Sequence, residues 1–210
     1  ACLANSDTRM NSIATPRKTD ADFVEWGLSR LQTFVAAIIF TLLLASFKPY
    51  SGEIAKAGES SGDLVNQLGF GSIGLASVAA LMFLVNRQVA KQLISVWWWS
   101  LFTFGLLSVF QSYLPDAALR AYLFTLFAVT GVMAVLTLPA GAGGLQRVLV
   151  IGGLVTLALC YAGLILYPDL AKHTSFGTRE PEHAGLWRGL FSHKNIAGPI
   201  MAVIAFIGIY

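Results

Sequence analysis

The sequence predicts an all-α protein, a polytopic transmembrane bundle of about six helical spans, and three observations carry that reading. Hydrophobic residues make up 56% of the 210 and charged residues 12%, about half the ~25% charge of a water-soluble domain. Mean hydropathy is +0.68. The apolar residues are gathered into charge-free runs near the ~17–25 residues needed to cross a bilayer.

Taken in order, residues 1–22 are polar, with Arg9, Arg17 and Lys18 offset by Asp7, Asp20 and Asp22. So little apolar surface predicts a mobile cytoplasmic tail. The transmembrane domain is expected over 23–210. Its five complete runs are Leu31–Phe47, Leu68–Val85, Leu93–Leu114, Ala121–Leu138 and Val148–Tyr167. A sixth, from Ile196 to Tyr210, reaches only roughly 22 Å at ~1.5 Å per residue, against a ~30 Å hydrocarbon core. The expectation is therefore that the domain is incomplete, and that this chain alone is inactive.

Basic residues assign the sides. With the N-terminus inside, the inner segments hold Arg9, Arg17, Lys18, Arg30, Arg87, Lys91 and Arg147, and the outer ones Lys48, Lys56, Arg120, Lys172, Arg179, Arg188 and Lys194. The last four fall in one loop, 168–195, whose polarity has a functional explanation. Without them the excess lies on the inner segments, which favours a cytoplasmic N-terminus. The same scatter between apolar runs explains a pI near 9.0 without nucleic acid.

Several motifs resolve to structure. Trp97–Trp99, just after Lys91, fit an interfacial aromatic belt better than a ligand platform, as does Trp26 ahead of the first run. "GFGSIG" from Gly69 has no preceding strand and lies in an apolar run, so it is helix-packing glycine and not a phosphate loop. "PAGAGG" from Pro139 reads as a tight turn. Cys2 and Cys160 are too far apart, in segments too unlike, to predict a disulfide, and they lack metal-binding spacing.

The chemistry concentrates between Tyr167 and Asn195, which holds all three histidines, His173, His183 and His193. Asp169, Lys172 and His173 read as ordinary loop residues. Glu180, Glu182 and His183 could seat a divalent ion, but Pro181 and the lack of selecting spacing argue against one. Ser175 and Ser192 show no triad arrangement. The segment "GLWRGLFSHKN" is different. Its alternation predicts an interfacial stretch with Trp187, Leu190 and Phe191 turned toward lipid. Asn195 is suited to cap the last helix, whose amide end attracts anions. With Lys194 beside it and Arg188 on a glycine-flanked bend, the cluster predicts a site for a lipid-linked phosphate, since arginine engages phosphate through a bidentate fork.

At Arg188, Gly189, Phe191, His193, Lys194 and Asn195 the chain resembles the bacterial O-antigen ligase and exopolysaccharide polymerase superfamily, with a compatible layout of apolar spans before the segment. That family also has further spans and a second large periplasmic loop bearing arginines and a histidine, neither of which this chain reaches. The resemblance implies an inner-membrane glycosyltransferase with its site facing the periplasm. It would move a glycan from undecaprenyl diphosphate to a sugar hydroxyl of lipid A–core or of a growing polymer, without metal or other cofactor. Arg188 and His193 are the implied catalytic residues; Arg188, Lys194 and Asn195 would bind the diphosphate. The competing class is a transporter or flippase that recognises an anionic solute or lipid through the same cations. A transporter calls for ionisable residues at mid-span, and the interiors of these runs carry none.

Overall fold

The structure is a computed structural model that describes residues 20–45, 64–86, 88–89, 91, 95–173, 184–191 and 194–209. It is all-helical over these residues: α1 (Asp20–Leu44), α2 (Leu64–Phe83), α3 (Val96–Phe110), α4 (Pro115–Thr137), α5 (Gly141–Leu166), the short α6 (Pro168–Ala171) and α7 (Lys194–Ile209). Over its described residues, each of the six apolar runs lies mainly on one helix. Three segments are both long and apolar enough to cross a membrane, Glu25–Leu44, Pro115–Thr137 and Gly141–Leu166, while Gln67–Phe83, Val96–Phe110 and Asn195–Ile209 are shorter apolar helices. Asp20–Asp22 belong to α1, so the helix takes up the end of the expected tail; the rest of the tail, 1–19, lies outside the described residues.

Local chemistry sets the helix ends. Ser95 caps α3, its hydroxyl accepting from the Trp97 amide at 3.4 Å. Pro115 opens α4 where a missing N–H costs nothing, with Asp116 beside it at the positive end. The predicted turn after Pro139 is present, and Gly141 supplies its left-handed backbone at φ +70°. Hydroxyls inside the apolar helices bond their own backbone: Thr41 to Ala37 O, Thr137 to Met133 O and Thr156 to Gly152 O, at 2.7–2.8 Å. This internal bonding lets Thr sit in a segment without water.

Packing fixes the relative directions. Gln32 Nε2, midway along α1, donates to Leu84 O just past the end of α2 at 2.6 Å. Toward the end of α1, Leu43 meets Gly131 of α4, one turn from the Phe127 that covers Gly74 of α2; α1 and α2 therefore run antiparallel. Phe70 meets Phe124 edge-on at 6.0 Å, and Gly74 lies under Phe127, so α2 and α4 run parallel. Tyr122 donates to Phe102 O at 2.8 Å, its ring over Gly105, closing the α3–α4 hairpin. Gly152 takes the Phe40 ring, where any Cβ would overlap it, so α1 and α5 pack closely. The close helix approach read for "GFGSIG" is thus realised at Gly74, and Gly105 and Gly152 serve in the same way. The central core draws Ala36, Ala37 and Ile39 from α1, Ile73 and Ala80 from α2, Ala134 and Val135 from α4 and Val148 from α5.

The chain therefore passes back and forth between two ends. One end holds Trp26, Arg30, the Trp97–Trp99 belt and Arg147; the other holds the turn at Gln111–Leu114 and the described residues 167–173 and 184–191. Outward faces carry large apolar side chains in every long helix, among them Phe34 (63% exposed), Met82 (73%), Phe104 (73%) and Ile165 (78%). An apolar surface of this extent is a liability in water and is what a bilayer covers.

Candidate functional site

Arg188 sits at the second end, in a compact knot built on the short helix α6. Pro168 opens α6, and the amides of Leu170 and Ala171 both donate to Tyr167 O at 3.0 Å. After Ala171 the chain extends, and Lys172 forms an antiparallel bridge with Trp187. The His173 amide donates to Leu186 O at 2.9 Å, and the Gly185 amide donates back to His173 O at 2.8 Å. Gly185 turns the returning segment at φ +82°. Past the bridge, the amides of Arg188 and Gly189 both point at Ala171 O, at 3.0 and 3.2 Å. A second left-handed glycine, Gly189 at φ +63°, then folds the chain down onto α5.

This knot buries its own side chains. Leu190 (1% exposed) and Phe191 (2%) pack with Cys160 of α5 and Ala197 of α7 in a second apolar cluster, flanked by Trp187, Ile200 and Met201. Trp187 stacks on Tyr161 with ring centres 6.3 Å apart. The expectation that Trp187, Leu190 and Phe191 turn to lipid is overturned for Leu190 and Phe191. Two glycines let the chain reverse, so its apolar side chains reach the protein instead. Arg188 is likewise inside, at 4% exposure, and its Nη2 donates to Leu170 O at 2.8 Å. That bond ties the cation to the last turn of α6 and makes it a fixed charge. Burial places it in a lower dielectric than a headgroup-facing arginine would have. His173, expected as an ordinary loop residue, is buried at 8% with both backbone groups paired across the bridge. Asp169 and Lys172 are exposed, as a loop reading requires.

Of the other predicted site residues, Asn195 is exposed within α7. Because α7 begins at Lys194, Asn195 is the second residue of the helix and not its cap. Pro199 explains part of this first turn's character: it cannot donate the helical bond to Asn195 O. His193, the Lys194 side chain and the possible metal-binding trio Glu180, Glu182 and His183 lie outside the described residues, as do Ser175 and Ser192. Among the described residues no group of three potential ligands is assembled for a metal.

Sequence reasoning missed two participants. Cys160 forms the floor under Gly189, and the Leu170–Ala171 backbone holds Arg188. An extra signal for the first existed, since a lone cysteine within an apolar run is a small buried packing residue more often than a reactive one. The Trp187 indole N–H is buried and meets no acceptor among the described residues. Two open grooves, of about 520 and 530 Å³, lie along α1–α5 and α5–α7 and are lined by other residues than these. Compared with family models, curated proteins and solved structures, the chain matches none.

Proposed function

We propose that this chain belongs to a bacterial inner-membrane glycosyltransferase of the O-antigen ligase or exopolysaccharide polymerase type, working on the periplasmic face. In this reading a glycan leaves undecaprenyl diphosphate for a sugar hydroxyl on lipid A–core or on a growing polymer. The supporting observation is Arg188, locked by its bond to Leu170 O and followed in the sequence by Lys194 and Asn195, the first residues of α7.

The chemistry follows from charge. As the anomeric bond breaks, negative charge collects on the departing diphosphate. A cation already held in place stabilises that charge without having to reorganise, which is the main way electrostatic preorganisation lowers a barrier. The Arg188 side chain is fixed at its guanidinium end, where a lysine on a solvated loop would have to be ordered first. The amide end of α7, opened by Lys194 and Asn195, adds a positive dipole at the same end of the bundle. His193 serves to orient the acceptor or move its proton. About six spans, with the α3, α2 and α7 segments completing the three long ones, keep the polyprenyl chain in lipid while its diphosphate stands at the surface.

The test is glycan transfer from a purified lipid-linked donor to a sugar acceptor, with the full-length protein that carries this chain reconstituted in vesicles. Product that depends on the protein supports the reading. Uptake of an anionic solute or flipping of a lipid, with no glycan product, would establish the transporter class instead.

A further inference from the structure

The groove of about 520 Å³ between α1 and α5 has an unequal distribution of chemistry. Most of its wall is apolar, with Phe34, Ile38, Leu42, Ile151 and Val155. One end is cationic, formed by Arg30 and Arg147. Both arginines line the groove because α1 and α5 run parallel, Arg30 lying eleven residues into α1 and Arg147 seven residues into α5. Arg30 lies over the Trp26 ring, 3.6 Å from its centre. Among the described residues no carboxylate lines the groove or forms an ion pair with either arginine. Two like charges left together at the edge of an apolar surface attract an anion.

The dimensions match a lipid. From Ser29 to Leu42 the groove follows α1 for roughly 20 Å at ~1.5 Å per residue, and half of a ~30 Å hydrocarbon core is about 15 Å. An acyl chain of one leaflet therefore fits along it completely, with its phosphate level with Trp26 at the interface. We propose that this groove is a binding site for one anionic glycerophospholipid, its phosphate held by Arg30 and Arg147 and one acyl chain lying along Phe34, Ile38 and Leu42. Guanidinium forks suit a phosphate diester, and the exposed indole of Trp26 (53%) suits the glycerol depth. The site lies at the opposite end from Arg188 and does not depend on the transferase reading.

Native mass spectrometry of the purified full chain, incubated with equal phosphatidylglycerol and phosphatidylcholine, tests this. Wild type is expected to retain phosphatidylglycerol with roughly tenfold preference, given two arginines acting near a membrane surface. The double variant Arg30→Gln, Arg147→Gln should lose that preference. Ile38→Trp, which fills the groove from an already exposed position (43%), should reduce retention of both lipids. Circular dichroism matched to wild type confirms folding of each variant, and Ile151→Trp offers the same block from the other wall. Equal retention of the two lipids by wild type would overturn the proposal, as would an unchanged preference in the arginine variant. Unchanged retention in both tryptophan variants would reduce the site to surface attraction, and a second copy of the chain displacing lipid would make the groove a protein interface.

Discussion

Replacing Gly189 with alanine is expected to loosen the knot that carries Arg188, by about 2–5 kcal/mol. Two costs add. A left-handed backbone at φ +63° costs a non-glycine residue roughly 1–2 kcal/mol. The new Cβ would also stand 2.9 Å from Cys160 Sγ and 3.3 Å from both Cys160 Cβ and Trp187 Cζ2, and such overpacking in a filled core costs about 1–3 kcal/mol. Gly185 provides the control, because it too is left-handed, at φ +82°, but a Cβ there meets nothing within 4 Å. Gly185→Ala should show the backbone cost alone. Cys160 gives the readout, being 0% exposed. In a Cys2→Ser background, Gly189→Ala should speed thiol modification of Cys160 in mild detergent at least tenfold more than Gly185→Ala does. Equal rates in the two variants would mean that Gly189 and Cys160 do not pack together.

If the proposed transferase reading holds, Arg188→Lys in the full-length protein should lower glycan transfer per folded molecule by roughly 10²-fold, comparable to removing one oxyanion donor. Lysine keeps the charge but loses the planar fork that lets one nitrogen hold Leu170 O while the rest of the group keeps its direction. Arg188→Ala removes the charge as well and should be at least as slow. It should also lose about 1.5–3 kcal/mol of stability with the charge-assisted bond to Leu170 O, so single-turnover rates need scaling to folded protein. Donor affinity should change much less than turnover, since the interaction is strongest once charge has developed on the leaving diphosphate. A lysine variant with full turnover would make Arg188 a structural tie for α6 and nothing more.

Apolar run length located every long helix among the described residues, because an apolar segment kept from water has to satisfy its backbone internally. Helix ends were read less well. Asn195 has the right chemistry for a cap, yet α7 already includes Lys194. The knot was the least legible part. Lys172–His173 pairs with Leu186–Trp187 across a long intervening segment, and no periodicity in the sequence signals such a pairing. Two glycines in "AGLWRGLF" announced a bend, but only the positive φ at Gly185 and Gly189 reveals that the chain turns back. That reversal puts Leu190 and Phe191 inside. An amphipathic pattern alone cannot say whether its apolar face meets lipid or protein, since both solvents are equally apolar.

The central claim is that the Arg188 knot and the Arg30–Arg147 pair stand on opposite faces of a membrane, with the knot outside. Thiol labelling in intact bacterial cells tests it most directly, using single cysteines at two exposed positions, Lys91→Cys and Lys172→Cys, in a Cys2→Ser, Cys160→Ala background. A membrane-impermeant maleimide should modify position 172 in intact cells and position 91 only after permeabilisation. Modification of 91 but not 172 in intact cells would invert the orientation, and modification of both without permeabilisation would contradict a bundle that separates its two ends by a bilayer.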